Sequence, residues 1–532
     1  MENLKKKGIQ SGLGWPERIT LIGVILLLTV FPLFTWDMYY DILFAKYKFF
    51  WITGIGMTLL TLLAVLIERR KFRKGASGSK YLTLQGCVKQ LDKPETAILV
   101  FLALYGISTL LSDYKYEAVW GNEGRLCGLF FMCVTVAVYL TIKRKLVFKR
   151  WLVDLFLLSS MLVCLWGITD FFKMDLFGFK ANISLEDMQI FTSSLGNVNT
   201  YTAYVALVTG IAATLFLDAQ STKNIVWYGG CLVISLFAII MGQSDNAYLA
   251  LGALFGFLPY YAFQKRGRTV RYFIILALFV TVMQCIAWIC GNYREHVIEF
   301  SGIFDVLAGG AKFLPIALVL WAVSAGLWLA TRGKEAQWQR TIWKKLRAGW
   351  TILLAIAVLV ILFLLYDANT SSDPQKYGAL RSYLVLDDDW GTHRMHNWKI
   401  GMRNYKEFSL IHKIFGYGPE TYGILTVSNN FDEMVSMYNE KYDNAHNEYL
   451  QYFFTIGPVG LMSYLSVLFF SFRQIFTKAL DNPYAVALAF AVICYAVQAA
   501  VNIATPIVYP FVWLFLAMGL AAGKGIDTSE KV

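Results

Sequence analysis

Residues 348–366, AGWTILLAIAVLVILFLLY, carry no charged side chain, and the polar segment 367–448 follows at once. A helix needs about 20 mostly apolar residues to cross the hydrocarbon core of a bilayer, and this run has about that length. The whole chain has a matching composition, since 57% of its 532 residues are hydrophobic and only 16% are charged. Soluble domains carry roughly 25% charged residues. The stretch therefore predicts a membrane-spanning helix that leads into one long loop.

Apolar runs of similar length lie on both sides of this one, and together they predict about fourteen spans. They are residues 19–36, 49–67, 95–112, 126–142, 151–171, 199–217, 225–242, 246–263, 270–290, 311–331, 348–366, 449–471, 484–501 and 506–522. We expect an all-α polytopic transmembrane helix bundle of about 12–14 spans, with one large ordered extracytoplasmic loop. The expected division is 1–366 for eleven spans, 367–448 for the loop, and 449–532 for three spans and a tail.

Basic residues collect in alternate connections, which predicts the orientation of the chain because cytoplasmic loops are enriched in Lys and Arg. With the N-terminus inside, the loops 68–74, 143–150, 264–268 and 332–347 all face the cytoplasm, and all are basic. The segment 367–448 holds more acidic than basic side chains and falls outside. Both termini are therefore predicted to be cytoplasmic. The first run is predicted to be a retained span, since the DMYY at 37–40 offers no small-x-small cleavage site.

The formal charge of +12 lies in these short blocks rather than on a polar domain, so we expect no nucleic-acid partner. The eight cysteines form no C-x-x-C pair, which argues against a disulfide framework or a metal cluster. They are Cys87, Cys127, Cys133, Cys164, Cys231, Cys285, Cys290 and Cys494. His393 and His396 are three residues apart but lack further ligands of suitable geometry. We expect no metal and no cofactor.

The long polar segment is rich in aromatic residues, and disordered segments are poor in them, so it is predicted to be ordered. Within 392–408, the side chains of Met395, Trp398, Met402 and Tyr405 are spaced as one stripe of a helix. This spacing predicts an amphipathic helix that lies on the membrane. The FGYGP at 415–419 predicts a turn.

The strongest local feature is DNAHNEY at 443–449, which leads directly into an apolar run. Asp443 or Asn444 is expected to cap the following helix. The N-terminus of a helix favours an anion and a neutral imidazole, so His446 is placed to accept a proton. The alternative is that His446 is an interfacial residue that only bonds to its own cap.

Two arginines are candidates for phosphate binding. Arg394 and Trp398 are four residues apart and share a helix face, and a guanidinium fork bonds two phosphate oxygens. The alternative for Arg394 is an anchor for lipid headgroups. Arg125, in WGNEGRLCG at 120–128, stands at the mouth of a span and is expected to face a lipid phosphate or to snorkel to the interface.

Two polar sequences lie where the chain enters or leaves the membrane. In GNVNTY at 196–201, Asn197 and Asn199 are expected to bind substrate or to cap a helix. The GQSDNA at 242–247 lies between two spans, where it either lines a cavity or forms a tight turn, and the turn is favoured.

Taken in order, these motifs resemble those of the O-antigen ligase and polymerase family of bacterial membrane glycosyltransferases, over residues 95–522. The resemblance rests on Arg394 with Trp398, the turn at 416–419, and Ala445-His446-Asn447 at the start of a span that contains Gly457 and Gly460. The sequences at 120–125 and 196–199 are similar to earlier landmarks of the family.

The resemblance implies a metal-independent, inverting glycosyltransferase without a cofactor, in the cytoplasmic membrane of a bacterium. The donor it implies is a glycan linked to undecaprenyl (polyprenyl) pyrophosphate, and the acceptor is a hydroxyl of a glycan, lipid or protein at the outer face, among membrane lipids. It implies that His446 takes the acceptor proton and that Arg394 and Arg125 hold pyrophosphate. Asn444 and Asn447 would orient the histidine or the acceptor, with Glu448 as a reserve base.

The chain departs from the family pattern at Ser244-Asp245, where many relatives carry Ser-Arg, and Arg125 or Arg294 is the candidate replacement. The predicted span count also exceeds the family's dozen, which marks the N-terminal pair as an addition. Two other functions fit the composition. A non-catalytic transporter or flippase of lipid-linked glycans would place its charged groups at the membrane midplane. A sensor or scaffold would use the long loop to bind partners.

Overall fold

The computed structural model describes residues 13–73, 91–122, 124–184, 187–300, 302–305, 313–371 and 373–524. Several sequence expectations lie outside these ranges. They are the final residue of the basic loop 68–74, the first two residues of the predicted span 311–331, Cys87, and the predicted tail beyond Lys524.

The described chain is almost entirely helical. Its α-helices of six or more residues are α1 (Trp15–Thr29), α2 (Ile42–Arg73), α3 (Lys93–Leu111), α4 (Lys115–Trp120), α5 (Leu129–Lys145), α6 (Trp151–Phe171), α7 (Val198–Asp218), α8 (Thr222–Met241), α9 (Asn246–Phe257), α10 (Arg266–Asn292), α11 (Phe313–Thr331), α12 (Trp343–Thr370), α13 (Trp390–Glu407), α14 (Leu410–Phe415), α15 (Tyr422–Tyr438), α16 (Glu448–Thr455), α17 (Gly457–Lys478), α18 (Pro483–Gln498) and α19 (Tyr509–Ala522). Two short antiparallel strands, β1 (Phe191–Thr192) and β2 (Gly196–Asn197), lie between α6 and α7, with Phe191 paired to Asn197.

Ten helices in the described ranges are long and apolar enough to cross a membrane. The prediction of an all-α polytopic membrane protein is therefore confirmed. Four other predicted spans fall on the shorter helices α1, α5, α9 and α19, of 15, 17, 12 and 14 residues. The burial of the helices fits a bilayer. Every residue in the most apolar stretch of α7 is buried within the protein, whereas no residue in that of α12 is.

Two predicted spans are each divided into two helices. The run 449–471 contains α16 and α17, which separate at Gly457, where φ is +73° and Pro458 follows. The run 246–263 contains α9 and a short helical turn, Pro259–Ala262, that begins at Pro259. Proline has no N–H for the helical hydrogen bond and clashes with the preceding turn, so both breaks have the same cause.

The centre of the bundle is the contact between α7 and α18. Small residues make this close approach possible, since a Cβ on Gly210 would lie only 3.0 Å from the Cα of Ala491. In lipid, helices associate by tight packing rather than by expulsion of water, and small residues allow the backbones to meet. This contact fixes the N-terminus of α7, where Asn197 and Asn199 lie.

Opposite ends of α5 carry different charged groups. At its C-terminus, the ammonium of Lys143 pairs with Asp92, and Arg144 Nε donates to Glu95 Oε1 at 2.9 Å. Asp92 and Glu95 form the capping box of α3. Arg125 lies just before the N-terminus of α5. At a rise of about 1.5 Å per residue, the 17-residue helix separates these two groups by about 25 Å.

The polar segment 367–448 contains the helices α13, α14 and α15. Met402 of the predicted apolar stripe is exposed and Met395, Trp398 and Tyr405 are half-buried, so its contact with the membrane stays a prediction. The buried face of α13 is instead largely polar: His396, Asn397, Ile400, Gly401 and Asn404. This face packs on α15 and on the backbone before α16, so hydrogen bonding rather than hydropathy sets its orientation.

Candidate active site

The turn before α16 holds His446 in an unusual backbone conformation. Its φ is +48°, in the left-handed region that only a few per cent of residues other than glycine adopt. Its amide donates to Asn444 Oδ1 at 3.0 Å, while Asn447 Oδ1 accepts from the amides of Tyr449 and Leu450, both at 3.0 Å. The helix cap is therefore Asn447, and the prediction of Asp443 or Asn444 was wrong because the helix begins at Glu448.

Side chains of α13 fix the backbone of this turn on its other side. Asn397 Nδ2 donates to the carbonyl of Asn444 at 2.8 Å, and Trp398 Nε1 donates to the carbonyl of Ala445 at 2.7 Å. Asn397 is itself held by the hydroxyl of Tyr422, which donates to its Oδ1 at 2.6 Å. These hydrogen bonds show that α13 as well as α16 sets the position of the turn that carries His446.

An ion pair joins the turn to the start of α5. Arg125 Nη2 lies 2.8 Å from Asp443 Oδ2 and 3.1 Å from Oδ1, and Nη1 donates to the carbonyl of Gly124 at 2.9 Å. Arg125 Nε is buried and has no hydrogen-bond partner among the described residues. The same is true of Arg394 Nε. Each guanidinium therefore keeps one buried N–H that has no partner among the described residues.

His446 lies within electrostatic reach of both arginines. Its burial, and then the positive charges of Arg394 and Arg125, lower the pKa of His446 from 6.5 to about 4, with a smaller opposing effect of Asp443. The imidazole is therefore neutral near pH 7 and able to accept a proton. Burial also lowers the pKa of Arg394, and the nearby Asp245 opposes this effect.

Glu420 is a further charged group of the site that the sequence did not single out. It directly follows the turn at 416–419, is 8% exposed and has a φ of +60°. Burial raises its pKa to about 7, while Arg125 acts to lower it and Asp443 to raise it. A carboxylate directly after a Gly-Pro turn is the only sequence signal that points to this residue.

Glu448 lies beneath the turn, among tyrosines of the bundle. It is 2% exposed, and its two carboxylate oxygens accept hydrogen bonds from the hydroxyls of Tyr464 at 2.6 Å and Tyr495 at 2.9 Å. Burial raises its pKa to about 7. Through these two hydrogen bonds, Glu448 connects α16 to α17 and α18, and both of its carboxylate oxygens are occupied. The role of Glu448 as a reserve base stays a prediction.

The two asparagines at the start of α7 are connected to the site only indirectly. Asn197 caps α7, because its Oδ1 accepts from the amide of Asn199 at 2.8 Å. Asn199 Oδ1 accepts from Ser244 Oγ at 2.7 Å and from Asn246 Nδ2 at 3.3 Å. The GQSDNA sequence is thus a turn between α8 and α9, as predicted.

The structure separates the two candidates for the missing family arginine. Asp245 stands at that position and accepts from the amide of Ile303 at 3.1 Å and from the hydroxyl of Tyr383 at 2.9 Å. Arg294 is 79% exposed and pairs with Glu299 at 2.5 Å. Arg125 is the candidate that joins the cluster around His446.

The remaining histidines of α13 pair with acidic residues. His393 Nδ1 lies 3.1 Å from Glu440 Oε2, and His396 Nε2 lies 3.1 Å from Glu433 Oε1. In the described ranges, no group of three or more His, Cys, Asp or Glu side chains is arranged to hold a metal ion.

Fold and site together define an integral membrane protein with a polar, arginine-rich site at one end of its helix bundle. Residues 306–465 match the family described as O-antigen ligase, which confirms the resemblance found in the sequence. Over this segment the chain is similar to O-antigen ligases, which supports a membrane enzyme of surface-polysaccharide biosynthesis with a glycosyltransferase-like activity. The match contains α13 and the His446 turn, whereas Arg125 lies outside it. No curated protein matches the chain.

Proposed function

We propose that this chain transfers a glycan from a polyprenyl pyrophosphate, such as undecaprenyl pyrophosphate, to a hydroxyl of a glycan, lipid or protein acceptor. The observation that carries the proposal is a neutral His446 within electrostatic reach of two guanidinium groups, each with a buried N–H that has no partner among the described residues. A sugar hydroxyl is a weak nucleophile and needs a base within hydrogen-bond reach. A departing pyrophosphate gains negative charge, which positioned arginines stabilise.

In the proposed step, the acceptor oxygen forms a bond to the anomeric carbon of the donor sugar. The bond from that carbon to the pyrophosphate oxygen breaks, and its electron pair leaves with the pyrophosphate. The acceptor proton passes to His446, while Arg394 and Arg125 hold the leaving group. Direct displacement inverts the anomeric carbon, and no metal enters the step. Asn444 and Asn447 keep His446 in place through the turn.

We further propose that the site faces the outside of a bacterial cytoplasmic membrane, with both termini inside. The blocks of basic residues in alternate connections support this orientation. The cluster lies near the N-terminal end of α5 rather than at its middle, which supports an enzyme acting at the surface over a transporter with charges at the midplane.

Deletion of the gene tests the proposed function. We expect lipid-linked glycans to accumulate and the surface polysaccharide to change. Short surface chains would identify a polymerase, and complete but unattached chains would identify a ligase. An unchanged lipid-linked pool together with an unchanged surface polysaccharide would contradict the proposed function.

A further inference from the structure

A cleft with a few charged side chains lies between the end of α6 and the loop that leads to β1. Its volume is about 470 Å³, and its lining includes Asp170, Lys180, Met188, Gln189 and Ile298. Ligand pockets in proteins commonly have volumes of about 300–1,000 Å³, with apolar walls and a few placed polar groups. The cleft has this size and this kind of lining, and the proposed transfer step does not use it.

Two buried charges of the cleft have bonding capacity that is not used. Asp170 and Lys180 are 2% and 7% exposed. Asp170 Oδ2 accepts from the amide of Ser193 at 2.6 Å, but Oδ1 has no hydrogen-bond partner among the described residues. Lys180 Nζ lies 3.8 Å from this Oδ1, a distance that is too long for a hydrogen bond. An oxygen atom to one side of the line between these two atoms, about 2.8 Å from each, would bond to both.

The other two charged groups of the lining each have hydrogen-bond partners within the protein. Asp175 accepts from the amides of Phe179 at 2.9 Å and Lys180 at 2.8 Å through its two oxygens. Lys173 Nζ donates to the carbonyl of Glu295 at 2.9 Å. The pair of Asp170 and Lys180 is therefore the part of the lining that is left to bind a ligand.

The charges of this pair select a neutral ligand. An anion would be repelled by Asp170, and a cation would be repelled by Lys180. A hydroxyl group fits both partners, since it donates to the carboxylate and accepts from the ammonium. The apolar side chains of Met188 and Ile298 suit the C–H face of a sugar ring.

The cleft also adjoins the turn between α8 and α9. A smaller adjoining pocket shares Asp170, Lys180 and Gln189 and extends to Val198 and Gln243. Gln243 precedes Ser244, which donates to Asn199 Oδ1 at 2.7 Å, and Asp245 follows within reach of Arg394. The turn at 242–247 therefore lines the pocket on one side and lies within reach of Arg394 on the other, which links the cleft to the proposed active site.

We infer that the cleft at Asp170 and Lys180 is a binding subsite for a neutral, hydroxyl-bearing sugar of the glycan substrate. The inference rests on the proposed function. Asp170 and Lys180 are assigned to binding and not to the chemical step, since the base and the phosphate ligands lie in the other cluster.

Direct binding tests the subsite. The full-length protein is purified in nanodiscs and titrated with water-soluble oligosaccharides that mild acid releases from the lipid-linked glycans of the same cells. We expect the wild-type protein to bind them, and Asp170→Asn and Lys180→Met each to bind at least about tenfold more weakly, because each removes one charge-assisted hydrogen bond. If both variants bind the oligosaccharides as tightly as the wild type, only a water bridges the pair and the inference is overturned. A wild-type protein that does not bind them would also overturn it.

Two control variants separate this result from other causes. Lys173→Met changes a charge at the same cleft whose ammonium is already bonded, so its binding is expected to be unchanged. His446→Ala is expected to bind the oligosaccharides normally while transfer is lost. Transfer that persists in His446→Ala contradicts the proposed mechanism, whatever the binding shows, so the two failures are distinguishable. Thermal unfolding of each variant identifies any that does not fold. If Asp170→Asn does not fold, the binding measured for Lys180→Met decides the test.

Discussion

Arg125 Nη2 contacts both carboxylate oxygens of Asp443, at 2.8 and 3.1 Å, although the two residues are 318 positions apart in the chain. The contact joins the entrance of α5 to the turn that carries His446. It connects a residue outside the matched segment 306–465 to a residue near the C-terminal end of that segment. The site is therefore assembled by the whole bundle and not by the polar segment alone.

Arg125→Lys is expected to reduce transfer about 10–100-fold, mainly through a higher KM for the lipid-linked donor. Lysine is a point charge and lacks the planar fork that bonds to Asp443, to the carbonyl of Gly124 and to a phosphate at once. Transfer in membrane vesicles at varied donor concentration measures the effect. Arg294→Lys is the matched control, since Arg294 is exposed and paired with Glu299, and a similar loss there would refute the assignment.

The pH profile of kcat/KM reports the pKa of His446 in the free enzyme. Because burial and the two arginines lower this pKa to about 4, the base form is present above that pH, and activity should fall only as the pH drops through about 4. Arg394→Gln removes one depressing charge, so the fall should move upward, toward 6.5. Lys406→Gln, an exposed charge on the same helix, should leave the profile unchanged. An Arg394→Gln profile identical to that of the wild type would argue against the predicted electrostatic contact.

Trp398→Phe should lower kcat about tenfold with a smaller change in KM. Phenylalanine keeps an aromatic ring at this position but has no N–H, so the carbonyl of Ala445 loses its 2.7 Å hydrogen bond. Loss of the partner of a buried acceptor costs about 1–3 kcal/mol. Steady-state transfer and thermal unfolding in detergent measure the two effects. Met402→Leu, an exposed position on α13, serves as the control. Unchanged kinetics in Trp398→Phe would show that the hydrogen bond does not position His446.

Gly457→Ala should destabilise the protein by about 2–4 kcal/mol. The φ of Gly457 is +73°, and a Cβ there would lie 2.1 Å from the carbonyl oxygen of Ile414. The added methyl group would force the junction of α16 and α17 away from the C-terminal end of α14. Thermal unfolding tests this expectation against Gly349→Ala, where a Cβ meets no atom within 4 Å. Equal stability of the two variants would show that the close approach is not required.

The sequence predicted the membrane fold well because the bilayer imposes a length and a composition on each span. Each predicted apolar run overlaps a helix in the described part of the chain, and two of the runs contain two α-helices. The divided spans at Pro259 and Gly457 were missed, because hydropathy does not distinguish a continuous helix from two helices with an apolar break.

The candidate site was predictable only where its residues are neighbours in the chain. The His446 turn and the pair of Arg394 and Trp398 were identified by local spacing. Asp443 was taken for a helix cap, although it pairs with Arg125 across the bundle, and Glu420 was passed over. Such long-range contacts depend on helix packing, which spacing along one segment does not encode.

The most direct test of the account is transfer by purified His446→Ala, with extracted lipid-linked glycan as donor and the natural acceptor. We predict that the variant is produced in the membrane, unfolds near the wild-type temperature and binds the donor, but transfers at least about 100-fold more slowly, because general-base catalysis contributes about 10²–10⁴-fold. Transfer at the wild-type rate by the folded His446→Ala protein would contradict the account.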